Sequence, residues 1–142
     1  MALTMAATAA TTAAGFLGGH LSYRKGVGVD QTTFEGRFED WTDAMADADL
    51  PDGTPRRVMV AGTNVMLYRT GGRIHALVNR CSHRGGPLHK GTVEEDRVTC
   101  PWHVSTFRLR DGAVLRGPAT APQPVYDVRV QEGGIQIRER RA

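Results

Sequence analysis

A chain of 142 residues can bury one core, and 40% hydrophobic with 23% charged residues is the balance of an ordinary folded domain, which excludes a disordered chain. The formal net charge of +3 and a pI near 9.2 come without a clustered Lys/Arg stripe or interleaved stacking aromatics. That pattern argues against a nucleic-acid ligand and favours an acidic protein partner.

In chain order, residues 1–30 are expected to form an apolar helical segment and a candidate membrane anchor. Met1 to Gly19 carries no charged side chain but is mostly Ala, Thr and Gly, with Leu3, Phe16 and Leu17 as its strongly apolar members. Three such residues contribute only about −1 to −2 kcal/mol to insertion, so a span standing by itself is marginal. A basic start, a cleavage site and a twin arginine are all missing, so export is not expected. The stretch from Gly15 to Asp30, GFLGGHLSYRKGVGVD, resembles the end of the last helix in a small multi-helix bacterial membrane unit. Gly15 and Gly19 give a GxxxG spacing, and Arg24 and Lys25 would flank the cytoplasmic side. Two readings stand: membrane association through residues 1–25 with the following domain in the cytoplasm, or a soluble Ala-rich helix or tail. His20 is assigned no metal.

Residues 31–55 read as a linker and lead-in, with Asp40 to Asp52 (DWTDAMADADLPD) expected to be helical or turn-like and without chemistry. From residue 56 to 142 the pattern changes to short β segments. Candidate strands are RVMVA, NVMLYR, RIHALVN, DRVTC, VSTFRL, VYDVRV and IQIRE. Gly71-Gly72, Asp111-Gly112 and Gly133-Gly134 supply the tight turns. In VYDVRV, Val125, Asp127 and Arg129 share one face while Tyr126, Val128 and Val130 share the other. The fold class is therefore all-β with antiparallel sheets, preceded by an N-terminal helix.

Between these strands lie two mixed pairs, Cys81 with His83 and Cys100 with His103, separated by sixteen residues. Each pair sits in a short loop, RCSHRGGPL or CPWHVSTF, with Gly or Pro placed to turn the backbone. Two thiols and two imidazoles are a metal-ligand set. A zinc site of this composition usually opens with two cysteines and closes with two histidines, which the interleaved order does not match. An iron of a 2Fe-2S rhomb needs two terminal ligands beyond its bridging sulfides, so four side chains suit two irons. His89 has neither spacing and reads as an exposed loop residue, and His75 as a strand residue.

These two loops resemble those of the Rieske 2Fe-2S family, in its ferredoxin and oxygenase branch. The resemblance implies that Cys81 and Cys100 hold one iron and His83 and His103 the other, at the tip of a small cluster-binding subdomain. Four thiolates would leave the oxidised centre with two negative charges, whereas two thiolates and two neutral imidazoles leave it neutral and easier to reduce. Potentials follow, at about −150 to +300 mV against about −400 mV for plant-type ferredoxins. Cytochrome bc-type members place disulfide cysteines where this chain has Gly86 and Trp102. With both cysteines used as ligands no disulfide forms, which fits a reducing compartment. Ser105 matches a position whose hydroxyl reaches a bridging sulfide, while Phe107 stands where high-potential members place a tyrosine, so an intermediate potential is expected. The segment GPATAPQP, Gly117 to Pro124, matches the proline loop that covers the cluster, with Pro118 near its start.

Three functions follow in order of preference. The first is a one-electron carrier fed by a reductase and serving a terminal oxidoreductase. The second is the electron-accepting part of a Rieske oxygenase, whose mononuclear iron needs a two-histidine, one-carboxylate site that the sequence up to Ala142 does not supply. The third is a regulatory or structural role for the cluster. Catalysis by the chain itself is not expected.

Overall fold

The computed structural model describes residues 1–36 and 38–140. Helix α1 (Ala2–Gly19) runs on into a π-helical turn, His20–Arg24. Alanine drives it. Its threonines bond backward, Thr8 Oγ1 to Thr4 O at 3.0 Å, Thr11 Oγ1 to Ala7 O at 3.0 Å and Thr12 Oγ1 to Thr8 O at 2.9 Å, which satisfies their hydroxyls without tertiary contacts. No residue of α1 is buried. Among the described residues no helix is long and apolar enough to cross a membrane, so the candidate anchor gains no support as a spanning helix. The reason is its Ala, Thr and Gly content.

Six strands form the main antiparallel sheet: β1 (Thr42–Ala46), β2 (Arg56–Val60), β3 (Thr63–Thr70), β4 (Arg73–Val78), β9 (Val125–Gln131) and β10 (Gly134–Glu139). Their order is β1-β10-β9-β4-β3-β2, and the two edge strands approach one another, so the sheet nearly closes. Strand β1 corrects the helical or turn expectation for the acidic segment. Its sequence, TDAMA, has weak strand propensity, and pairing with β10, through an irregularity between Asp43 and Met45, imposes the conformation. A 3₁₀ turn, Asp47–Asp49, follows. Arg69 holds it by an ion pair to Asp47 at 2.7 Å and a hydrogen bond to Leu50 O at 3.2 Å.

A smaller sheet, β5 (Thr92–Glu94), β6 (Arg97–Thr99), β7 (Thr106–Arg108) and β8 (Val114–Arg116), is antiparallel in that order. Strands β6 and β7 fall inside expected segments. Strands β5 and β8 have three residues each, too few for alternation to reveal them.

The small sheet explains the composition of β3. Val65 and Leu67 face a core with Ala76, Val78, Tyr126, Ile135 and Ile137, while Met66 and Tyr68 face a second core with Leu77, Leu88, Val98, Phe107 and Leu109. Covered on both faces, the strand is a continuous apolar run. In β9 the expected alternation appears, with Tyr126 and Val128 on the first core and Val125 on the second. Val130 is exposed.

Gly112 joins the small sheet to the loop that precedes β9. At φ +71°, a Cβ there would lie 1.7 Å from Gln123 O. Gly53 has a similar φ of +70° but open space around it. Gly112→Ala is expected to cost roughly 3 kcal/mol or more and Gly53→Ala about 1 kcal/mol, compared by urea unfolding.

Candidate metal centre

The first ligand loop leaves β4 and folds back on itself. Cys81 N–H donates to Gly86 O at 2.9 Å and Gly85 N–H to Cys81 O at 2.8 Å, and Arg80 bridges Pro87. Asn79 closes its base: its Oδ1 accepts the His89 N–H at 2.8 Å and lies 3.0 Å from His89 Nδ1. His89, expected to be exposed, is instead half-buried and anchors the loop. The second loop turns between β6 and β7. Cys100 N–H donates to Ser105 O at 2.8 Å and Val104 N–H to Cys100 O at 3.2 Å.

The loops meet at their sulfurs. Cys81 and Cys100 are both buried and unbridged. A hydrogen bond between them is the main influence on both thiols: it pushes the Cys81 thiol up, helped by burial, and holds Cys100 down to about 6. Backbone amides of His83 and Arg84 face the Cys81 sulfur, and those of Trp102 and His103 face the Cys100 sulfur, favouring thiolates. Gly86 has no room for a side chain, since a Cβ would lie 2.7 Å from Cys100 Sγ and 3.2 Å from the Trp102 indole.

The imidazoles form a second pair. The rings of His83 and His103 are 5.0 Å apart and nearly perpendicular at 88°. His83 Nδ1 is buried with no hydrogen-bond partner among the described residues. Burial, then the neighbouring His103 and Arg84, lower its pKa and keep the ring neutral. An orphaned imidazole nitrogen beside two paired thiols is what a group needing sulfur and nitrogen donors requires.

The sequence profile of the Rieske [2Fe-2S] domain matches residues 40–127. The chain belongs to the Rieske 2Fe-2S family. Ferredoxin CarAc of Metapseudomonas resinovorans is 33% identical over 98 residues, covering 68% of this chain and 92% of that protein. The ferredoxin subunit of 3-phenylpropionate/cinnamic acid dioxygenase from Escherichia coli K12 is 37% identical over 91 residues, 63% of this chain and 85% of the subunit. Among solved structures, the ferredoxin of carbazole 1,9a-dioxygenase from Nocardioides aromaticivorans IC177 aligns with a TM-score of 0.66 and 30% identity over 72% of this chain and all of that one. The Rieske fold and the Rieske-type 2Fe-2S cofactor follow from this membership, and with these ferredoxin relatives so does a one-electron carrier role that serves an oxidoreductase partner.

Around the Rieske loops, Ser105 is fully buried and its Oγ accepts the Ala119 N–H at 3.0 Å. Phe107 is buried in the second core. Trp102 is exposed and meets His103 edge-on at 6.4 Å. In the proline loop Pro118 is exposed, and Ala119 is the residue that packs inward.

Two glutamines escaped the sequence reading. Gln123 is buried: its Nε2 donates to Val78 O and Arg80 O, both at 2.7 Å, and its Oε1 accepts the Ser82 N–H at 3.0 Å. Ser82 Oγ returns a bond to Ala121 O at 2.8 Å. Gln31, in the presumed linker, donates its N–H to Ser82 O at 2.8 Å and accepts from Arg80 at 3.1 Å. Pattern reading had no signal for either, because a single amide gains meaning only from backbone groups far away in sequence. Gln123→Leu, which orphans buried Ser82, Val78 and Arg80 backbone groups, is expected to cost at least about 3 kcal/mol in urea unfolding.

Proposed function

We propose that Cys81 and Cys100 bind one iron of the Rieske centre and His83 and His103 the other. In this reading the chain is the ferredoxin component of a Rieske oxygenase system, taking one electron from a reductase and delivering it to a terminal oxygenase. The observation that carries the ligand assignment is the unpartnered, buried His83 Nδ1 beside His103, adjoining two hydrogen-bonded thiols. Support for the system comes from the relatives, which are dioxygenase ferredoxins, and from a complex of reduced oxygenase with oxidised ferredoxin whose matched chain is 32% identical with a TM-score of 0.65.

When bound, the 2Fe-2S group supplies one-electron redox chemistry, at a potential raised by its neutral nitrogen ligands. The protein prepares its ligands for that role. Of the two thiols, Cys100 is the one held down, chiefly by its hydrogen bond with Cys81. Backbone amides on both loops stabilise the thiolates, and His83 Nδ1 offers its lone pair without first breaking a hydrogen bond. Leu88, Phe107 and Ala119 exclude water from the sulfur side. His103 is exposed, so the nitrogen side forms the exit toward a partner. With both cysteines committed as ligands, the working compartment is the reducing cytoplasm. Residues 1–25 are given no part in this cycle.

The dithionite-reduced protein is expected to give an EPR spectrum whose average g lies below that of an all-thiolate cluster. His83→Ala and His103→Ala should each lose the visible chromophore while His89→Ala keeps it. A His83→Ala protein that retains the unaltered spectrum would sink the assignment. Ser105 Oγ accepts from Ala119, which leaves its own proton available to a sulfur. Ser105→Ala is therefore expected to lower the midpoint by about 60–130 mV, the equivalent of one charge-assisted hydrogen bond, measured by redox titration.

A further inference from the structure

Charge is distributed unevenly about the proposed ligands. The loops 80–90, 100–105 and 114–123 contain Arg80, Arg84, Lys90 and Arg116 but no aspartate or glutamate. Pairing of Thr99 with Thr106, and of Thr106 with Arg116, puts Arg116 in the row of the small sheet next to the second ligand loop. Glu94, Glu95 and Asp96 lie at the opposite end, at the β5–β6 turn. Arg84 directly follows His83 in the first loop and is exposed. Arg80 is turned toward Glu35 at 3.9 Å, but Arg84 and Arg116 have no carboxylate partner among the described residues.

The same end exposes apolar side chains. Trp102, Val104 and Leu115 are 58%, 48% and 46% exposed. Val104 adopts φ +54°. A β-branched residue is strained in that region, and here its side chain stays about half exposed, directly after His103 in the chain. Glycine would hold the same turn without strain. That turn is closed by the Val104 N–H, which donates to Cys100 O at 3.2 Å, and it presents the valine on the same surface as Trp102.

Resting on the electron-carrier reading above, we propose that this end is a docking surface for an acidic patch on the redox partner. Trp102 and Val104 are its apolar anchors, and Arg84 and Arg116 its steering charges. An exposed aromatic flanked by arginines is the composition of interface centres, and a single-sign field around the electron exit raises the rate of productive encounter.

The test uses the reduced, cluster-loaded full chain and two protein oxidants that differ in charge, basic cytochrome c and the same protein succinylated to make it acidic. Stopped-flow oxidation by the succinylated form is expected to be fast at low salt and to slow as salt rises. Arg84→Gln/Arg116→Gln should slow it about tenfold at low salt. Arg56→Gln/Arg97→Gln, which removes the same net charge from exposed sites elsewhere, should change it less than about twofold. Val104→Gly should raise the melting temperature and yet slow the same reaction. Midpoint and EPR spectrum are recorded for every variant, so that a rate change with an unaltered midpoint reports docking. Equal effects of the two arginine pairs, or a succinylated oxidant no faster than the native one, would overturn the proposal. A wild-type chain without the cluster signal would overturn the reading beneath it as well.

Discussion

Two sulfur atoms, delivered by loops from two different sheets, meet in a dry pocket, and most of the architecture around them exists to make that meeting possible. Cys81 leaves the main sheet at the end of β4, whereas Cys100 and His103 turn between β6 and β7 of the small one. Gly86 permits the contact by leaving its Cβ space to the Cys100 sulfur. The Gln123 amide then fixes the first loop against the loop that covers both. Without that amide, three backbone groups, two of them in buried bonds, would lose a partner. The sulfurs are buried while His103 is exposed, which in the proposed reading gives the pocket a storage side and an exit side.

The motif proposed to hold the cluster stands out in the sequence because coordination chemistry restricts residue types locally. Cys81, His83, Cys100 and His103 can be read at short spacing, and the family profile agrees with the resemblance those loops suggested. Strands β3, β4, β9 and β10 were legible because each is six or more residues long and carries either alternation or a continuous apolar run. Strand β1 was not: apart from Thr42, its residues Asp43, Ala44 and Ala46 disfavour strand, and β10 decides their conformation. The role of Gln31 was hidden for a similar reason. Gln31 looks like any polar linker residue until its amide meets Ser82 O across the fold. Around the site, Ser105 and Phe107 could be placed by position, but the inward contact of the covering loop belongs to Ala119 rather than to a proline.

Polarity complements this geometry. The chain carries only a small net positive charge, and eight of its fifteen acids lie along 40–52 and at the β5–β6 turn, outside the loops that carry His83 and His103. A modest total can therefore coexist with a strong local field where an electron leaves. Separating the signs is an effect of sequence order, since each ligand loop is bracketed by arginine or lysine and the acids fall in turns of the other ends.

Adjacent residues of β3 lie back to back: Met66 belongs to the wall of the cofactor end, and Leu67 to the heart of the other sheet. One ribbon of backbone is thus the shared keel of both halves. Melting on either side withdraws the floor from the other, so the redox end has no independent life, and damage to the scaffold surfaces as bleached colour.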